Sequence, residues 1–149
     1  MGLEALKARI GEVTPPGDWL LVTQRMINEF AELTGDHQWI HLDAERCRRE
    51  SPYGTTIAHG MLIQSLIPKL IGEKPSWMTG FSAGINLGSD KVRFTAPVRA
   101  GSRIRATSSI SKLSEAGNGA VRIVTAVTIE IEDEAKPACH AELVGILYP

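Results

Sequence analysis

A chain of 149 residues with 16 basic and 17 acidic side chains, net charge -1, carries no bulk field that would draw nucleic acid or an anionic membrane. Hydrophobic residues at 43%, charged residues at 22% and a mean hydropathy of -0.04 describe an ordinary globular chain, long enough for one domain over residues 1–149 and too short for two. The longest apolar-rich run, Met61 to Ile71, is broken by Gln64, Pro68 and Lys69 and is too short to span a bilayer, and MGLEALKARI lacks the apolar core of a secretory signal, so a cytoplasmic location is the expectation.

Residues 1–18 read as a lead-in: a short amphipathic stretch, then TPPGD, which punctuates rather than continues structure. From Thr23 the pattern turns helical, with Met26, Ile27, Phe30, Ala31 and Leu33 on one period, Thr23 placed to cap the start and Gly35 to close the end. Asp36 to Leu42 mixes polar and large residues without a period and reads as an ordered loop; Asp43 then caps a short charged helix over Ala44 to Glu50, ended by SPYG. After Thr55 and Thr56 comes IAHGMLIQSLIPKLIG, a helix with only a narrow polar edge, which belongs against a core. Pro68 cannot donate to the carbonyl of Gln64, so a kink is expected there, and Gly72 ends the helix.

Beyond Pro75 the period becomes two. Segments near Phe81 to Phe94, Ser102 to Leu113, Ala120 to Glu132 and Ala138 to Tyr148 are rich in β-branched residues, with EAGNGA and DEAKPA as turns, which predicts an antiparallel meander. Strands of about ten residues span roughly 33 Å and are long enough to curl around a helix. The fold class is therefore α+β, since nothing alternates as βαβ units would.

The chemistry concentrates between Thr34 and Leu62, which holds three of the four histidines. The stretch GDHQWIHLD followed by YGTTIAHGML, with SDKVRFTAPVRAGSRIR later, resembles the signature of the MaoC-like dehydratases, the family of (R)-specific enoyl-CoA hydratases, in the wording of its nodulation-protein-N-like branch. The resemblance spans roughly Asp18 to Tyr148. It implies a hot-dog fold, a long central helix wrapped by a curved antiparallel sheet, with subunits paired sheet edge to sheet edge as a homodimer. It also implies cofactor-free, reversible addition of water to a trans-2-enoyl-CoA thioester, giving (R)-3-hydroxyacyl-CoA.

Carried over residue by residue, the resemblance makes Asp36 and His41 the catalytic pair and assigns the backbone amide of Gly60 to the oxyanion hole. Hydration needs a base for the water, an acid for the α-carbon and donors for the enolate-like oxygen, and these groups supply all three. Gly60 also reads simply as a residue that permits close packing where the chain enters the core. Gln38, Trp39 and Ile40 stand where the family more often has Asn-Pro-Leu, and Gln38 and Trp39 are candidates to touch substrate and shape its pocket. The family's helix serine is replaced by Pro68; Ser65, three residues earlier, either takes over that contact or is satisfied by its own helix. His59 is a substrate-side candidate that reads more simply as a structural histidine bonded to backbone.

No metal is expected. Asp36, His37, His41 and Asp43 could chelate on paper, but capping explains Asp43 and exposure explains His37. Cys47 and Cys139, far apart and without metal-type spacing, read as two reduced thiols with no base to activate them. Lys91, Arg93, Arg103 and Arg105 are candidates to meet coenzyme A phosphates, or else ordinary solvent-face charges. Trp77 and Phe81 are expected to pack on the helix end. Two other functions fit the fold: a thioesterase, which would want a carboxylate on the central helix where Met61 to Ile71 has none, and an acyl-thioester-binding module without turnover.

Overall fold

The computed structural model describes residues 3–72, 75 and 78–149, so the expectation for Trp77 lies outside the described residues. In chain order the elements are α1 (Leu3–Lys7), β1 (Leu20–Leu21), α2 (Gln24–Thr34), α3 (Trp39–Leu42), α4 (Ala44–Glu50), α5 (Gly60–Ser65), α6 (Ile67–Ile71), β2 (Ala83–Arg93), β3 (Arg103–Gly117), β4 (Ala120–Ile131) and β5 (Cys139–Tyr148). The strands form one antiparallel sheet in the order β1-β3-β4-β5-β2.

Strands β3, β4 and β5 follow one another as a meander. Asn118 and Gly119 both take positive φ at the first turn, the conformation that a two-residue hairpin needs to match the twist of its strands. The predicted meander fails at its first strand: β2 does not pair with β3 but crosses to the far edge beside β5, with Ala83 opposite Tyr148 and Arg93 opposite His140. The link between β2 and β3 offers no tight-turn pair. It bonds instead to the segment leading into α5, Ala58 N donating to Val98 O at 2.7 Å and Ala100 N to Thr56 O at 3.0 Å. That link carries the chain across the sheet, and a bulge between Ile110 and Lys112 adds bend to β3.

The helix predicted from His59 to Gly72 is present but broken rather than kinked. It parts at Leu66 into α5 and α6, because the proline ring two residues on removes a donor and crowds the carbonyl one turn back. Leu62, Ile63, Ile67 and Leu70 are buried with Val22, Ile27, Ile104, Val127 and Ile129 in the main core, whereas Met61, Ser65, Pro68 and Lys69 form the exposed edge. The sheet thus grips one face of the broken helix, the hot-dog arrangement that the resemblance implies. Residues 1–18 do more than lead in. Leu6 of α1 is fully buried beneath β3 in a second cluster with Ile110, Val121, Ile123 and Leu147, against which Phe81 also packs.

The caps of α2 and α4 are as the sequence predicts. Thr23 accepts from Met26 N at 3.2 Å, Gly35 at φ 77° returns its amide to Ala31 O at 2.8 Å, and Asp43 Oδ1 accepts from Arg46 N at 2.9 Å. Where a loop was expected, Trp39 to Leu42 winds a single turn, α3, closed by Asp43 N on Trp39 O at 2.9 Å. Four residues are too few to show a period, which is why the pattern concealed it.

Candidate active site

Three elements meet at the amino end of α5: the turn after α2, the single turn α3, and the segment 55–59 that enters the helix. Together Phe30, Thr34, Asp36, His41, His59, Gly60, Met61 and Ser65 line a cleft of about 480 Å³. Asp36 follows the left-handed cap at Gly35, and its side chain is 52% exposed. His41, on α3, is 7% exposed. Their facing atoms, Asp36 Oδ2 and His41 Nε2, stand 4.0 Å apart, too far for a direct hydrogen bond and close enough for one water oxygen to reach both.

His41 is held from two sides. Its Nδ1 lies 2.7 Å from the carbonyl oxygen of Ile57, which can only accept, so Nδ1 carries the proton and Nε2 presents a lone pair to the cleft. Its own carbonyl accepts from Gln24 Nε2 at 2.7 Å, and Gln24 Oε1 accepts from the buried hydroxyl of Thr56 at 2.5 Å. Burial pulls the His41 pKa below the ordinary imidazole value; the bond to Ile57 opposes this, the neighbouring His59 adds to it, and Asp36 opposes it in turn. A neutral imidazole with its lone pair facing the cleft is a base.

His59 is 3% exposed and donates from Nε2 to the backbone carbonyl of Asp36 at 3.0 Å. Its ring stacks on that of His41, centroids 3.8 Å apart and planes 24° apart, with Phe30 tilted against its edge at 5.0 Å. Asp36, His41 and His59 offer ligand atoms within 4.8 Å of one another. Stacked imidazoles nevertheless direct their in-plane lone pairs side by side rather than toward one point, so the trio fits a metal poorly. The other two members of the metal string point elsewhere, Asp43 capping α4 and His37 bonding Glu32 at 2.7 Å.

Gly60 is the first residue of α5, so its amide has no acceptor within the helix. A Cβ there would stand 2.9 Å from ring carbons of Phe94, so the close approach this glycine permits is that of an aromatic ring. Ser65 lines the cleft, and its hydroxyl donates to Met61 O, one turn back in its own helix, at 2.7 Å. Gln38 and Trp39 do not line the cleft. Gln38 is exposed and gives its amide to Asp36 Oδ1 at 3.3 Å, steadying the carboxylate; the Trp39 ring lies under the Arg46 guanidinium, 4.1 Å from its centroid.

Of the four basic candidates, Arg103 pairs with Glu132, Arg105 with Glu130 and Lys91 with Glu142, while Arg93 has no carboxylate partner among the described residues. Cys47 and Cys139 are free, buried thiols with pKa values raised by that burial, which keeps them protonated and inert. Gln24, Thr56, Ile57 and Phe94 were not apparent as site residues, since they act through a carboxamide, a buried hydroxyl, a main-chain carbonyl and a ring at positions with no motif.

The model of the MaoC like domain matches residues 6–134. The chain belongs to the MaoC-like family. It is 48% identical over 137 residues to 3-hydroxyacyl-thioester dehydratase Z of Mycobacterium tuberculosis, covering 92% of this chain and 89% of that protein. It is 37% identical over 147 residues to nodulation protein N of Rhizobium leguminosarum, covering 99% of this chain and 91% of the relative. The solved R-hydratase of Pseudomonas aeruginosa superposes with a TM-score of 0.68 at 26% identity over 94% of this chain and 81% of that one. This MaoC-like protein has the hot-dog fold and is a hydro-lyase of the dehydratase and hydratase class. Among the described residues no helix is long and apolar enough to cross a membrane.

Proposed function

We propose that the reaction is the reversible, (R)-specific hydration of trans-2-enoyl-CoA to (R)-3-hydroxyacyl-CoA, carried out by Asp36 and His41. The observation that carries this reading is the 4.0 Å separation of Asp36 Oδ2 and His41 Nε2 across a cleft that ends at the first amide of α5. A water oxygen between them gives one proton to His41 Nε2 while its second hydrogen bonds Asp36. The oxygen adds to C3 as the π electrons move through C2 to the thioester oxygen, which the Gly60 amide meets. The imidazolium, stabilised by Asp36, then returns its proton to C2 on the same face. One O–H bond and one C=C π bond are lost; one C–O and one C–H bond form.

An apolar cleft of about 240 Å³ between α6 and the strands β2, β4 and β5, lined by Ile67, Pro68, Ile71, Ile85, Leu143 and Leu147, gives a hydrocarbon tail a place to lie. Among the described residues β2 lies at an edge of the sheet with no further strand beside it, and its Ile85 and Leu87 are exposed. An edge strand of this length with exposed apolar side chains supports a homodimer in which two copies continue one sheet.

The test is loss of the enoyl absorbance of crotonyl-CoA, with thiol release followed in parallel. Hydration without thiol release is the expected result. Thiol release would make the protein a thioesterase, and binding without either would make it a module.

A further inference from the structure

His59 belongs to no step of that scheme, yet it is more deeply buried than either member of the pair. Its one N–H is committed to the carbonyl of Asp36, which leaves Nδ1 as a bare acceptor, buried and without a partner among the described residues. An unsatisfied buried nitrogen is a cost that a hydrocarbon side chain of similar size would avoid, so its presence calls for a cause. The cause is on either side of the ring. Residues 35–38 are all exposed, and among the described residues the other hydrogen bonds of this turn run to residues close in sequence: Gly35 N to Ala31 O at 2.8 Å, His37 to Glu32 at 2.7 Å, His41 N to Gln38 O at 3.0 Å, with Asp36 N on Thr34 Oγ1 at 3.4 Å and Gln38 N on Asp36 Oδ1 at 3.3 Å both long. The bond from His59 ties the turn to the core. The opposite claim on the ring is His41, whose face it covers at 3.8 Å.

We propose that His59 is a positioning residue for the dyad, holding Asp36 by its backbone and His41 by the face of its ring. This rests on the reading of Asp36 and His41 given above. A further consequence follows from the contact. Two imidazoles stacked so closely resist being charged together, so His59 helps to keep His41 in its basic form. Among the described residues, the titratable groups that face the pair are each other and Asp36, since Phe30, Thr34, Gly60, Met61 and Ser65, which complete the cleft, carry no charge.

Two full-length variants separate the two contacts. His59→Phe keeps a flat ring against His41 and loses the N–H; His59→Gln keeps an N–H near the ε position and loses the ring. Both are first shown to be folded by thermal melting. His59→Phe is expected to lower kcat for crotonyl-CoA about a hundredfold with little change in KM, the loss typical of a reacting group displaced by about 1 Å. His59→Gln is expected to raise the midpoint of the His41 titration, read by NMR on the imidazole and needing no turnover. A folded His59→Phe enzyme with unchanged kcat, or an unmoved His41 midpoint in His59→Gln, overturns the proposal. A wild-type protein that does not hydrate crotonyl-CoA would instead sink the hydratase reading, and the NMR midpoint would still decide the role of His59.

Discussion

Asp36 and His41 face one cleft from five residues apart, yet the chain treats them in opposite ways. His41 is buried on a helical turn, with both its ring and its carbonyl held by partners from other elements. Asp36 is half exposed on a turn, and the bond it receives from the buried His59 goes to its main chain and not to its carboxylate. The contrast fits the tasks proposed for them: a base with its tautomer and lone pair fixed, and a carboxylate that keeps contact with the water it would bind and release.

The sharpest way to break this contrast is to remove each group in turn. Asp36→Asn and His41→Gln should each lower crotonyl-CoA hydration by about 10²- to 10⁴-fold, and the double variant should be little worse than the poorer single one, as for groups that act as a unit. Their stabilities should differ. His41→Gln disturbs the partnership with the Ile57 carbonyl and costs about 1 to 3 kcal/mol, whereas Asp36→Asn at an exposed turn stays within about 0.5 kcal/mol. Equal melting temperatures for the two would erase the distinction.

The next effect is on pH. Because burial pulls the His41 pKa below its ordinary 6.5, the imidazole is neutral and competent at pH 7, and kcat/KM falls as pH drops through the depressed value, about tenfold per unit. Stability moves the same way, since the unfolded imidazole takes up its proton at a higher pH than the folded one and acid therefore favours unfolding. A limb lying above 6.5 would show that His41 is not the base.

Smaller again, Thr56→Val frees Gln24 and with it the carbonyl of His41, at a cost of about 1 to 3 kcal/mol in stability and about tenfold in kcat. Calorimetry and single-substrate kinetics read both. The mildest change is Asp43→Ala, which removes the cap of α4 for about 1 kcal/mol and leaves turnover unchanged; a collapse of activity would mean that Asp43 belongs to the site after all.

The caps, the strand periods and the meeting of Asp36 with His41 at one cleft were legible because each rests on local pattern or on a short motif. The position of β2 was not, since strand order depends on what the 94–102 link bonds to rather than on any period within β2. The cleft itself was half legible. Residue types pointed to Asp36 and His41, but the carboxamide of Gln24 and the hydroxyl of Thr56 support His41, and the ring of Phe94 packs on Gly60, across long sequence separations. Trp39 shows the converse: its bulk suggested a pocket wall, but the half-buried ring lies outside the lining of the cleft, under the guanidinium of Arg46 one helix on.

The most direct measurement is the stereochemistry of hydration in D2O. If one dyad takes the proton of water and returns it, the deuterium at C2 and the new oxygen at C3 of 3-hydroxybutyryl-CoA must lie on the same face, which the coupling constants of the product reveal. The account predicts syn addition with R configuration at C3. Anti or unselective placement would mean that the proton comes from a group other than this pair.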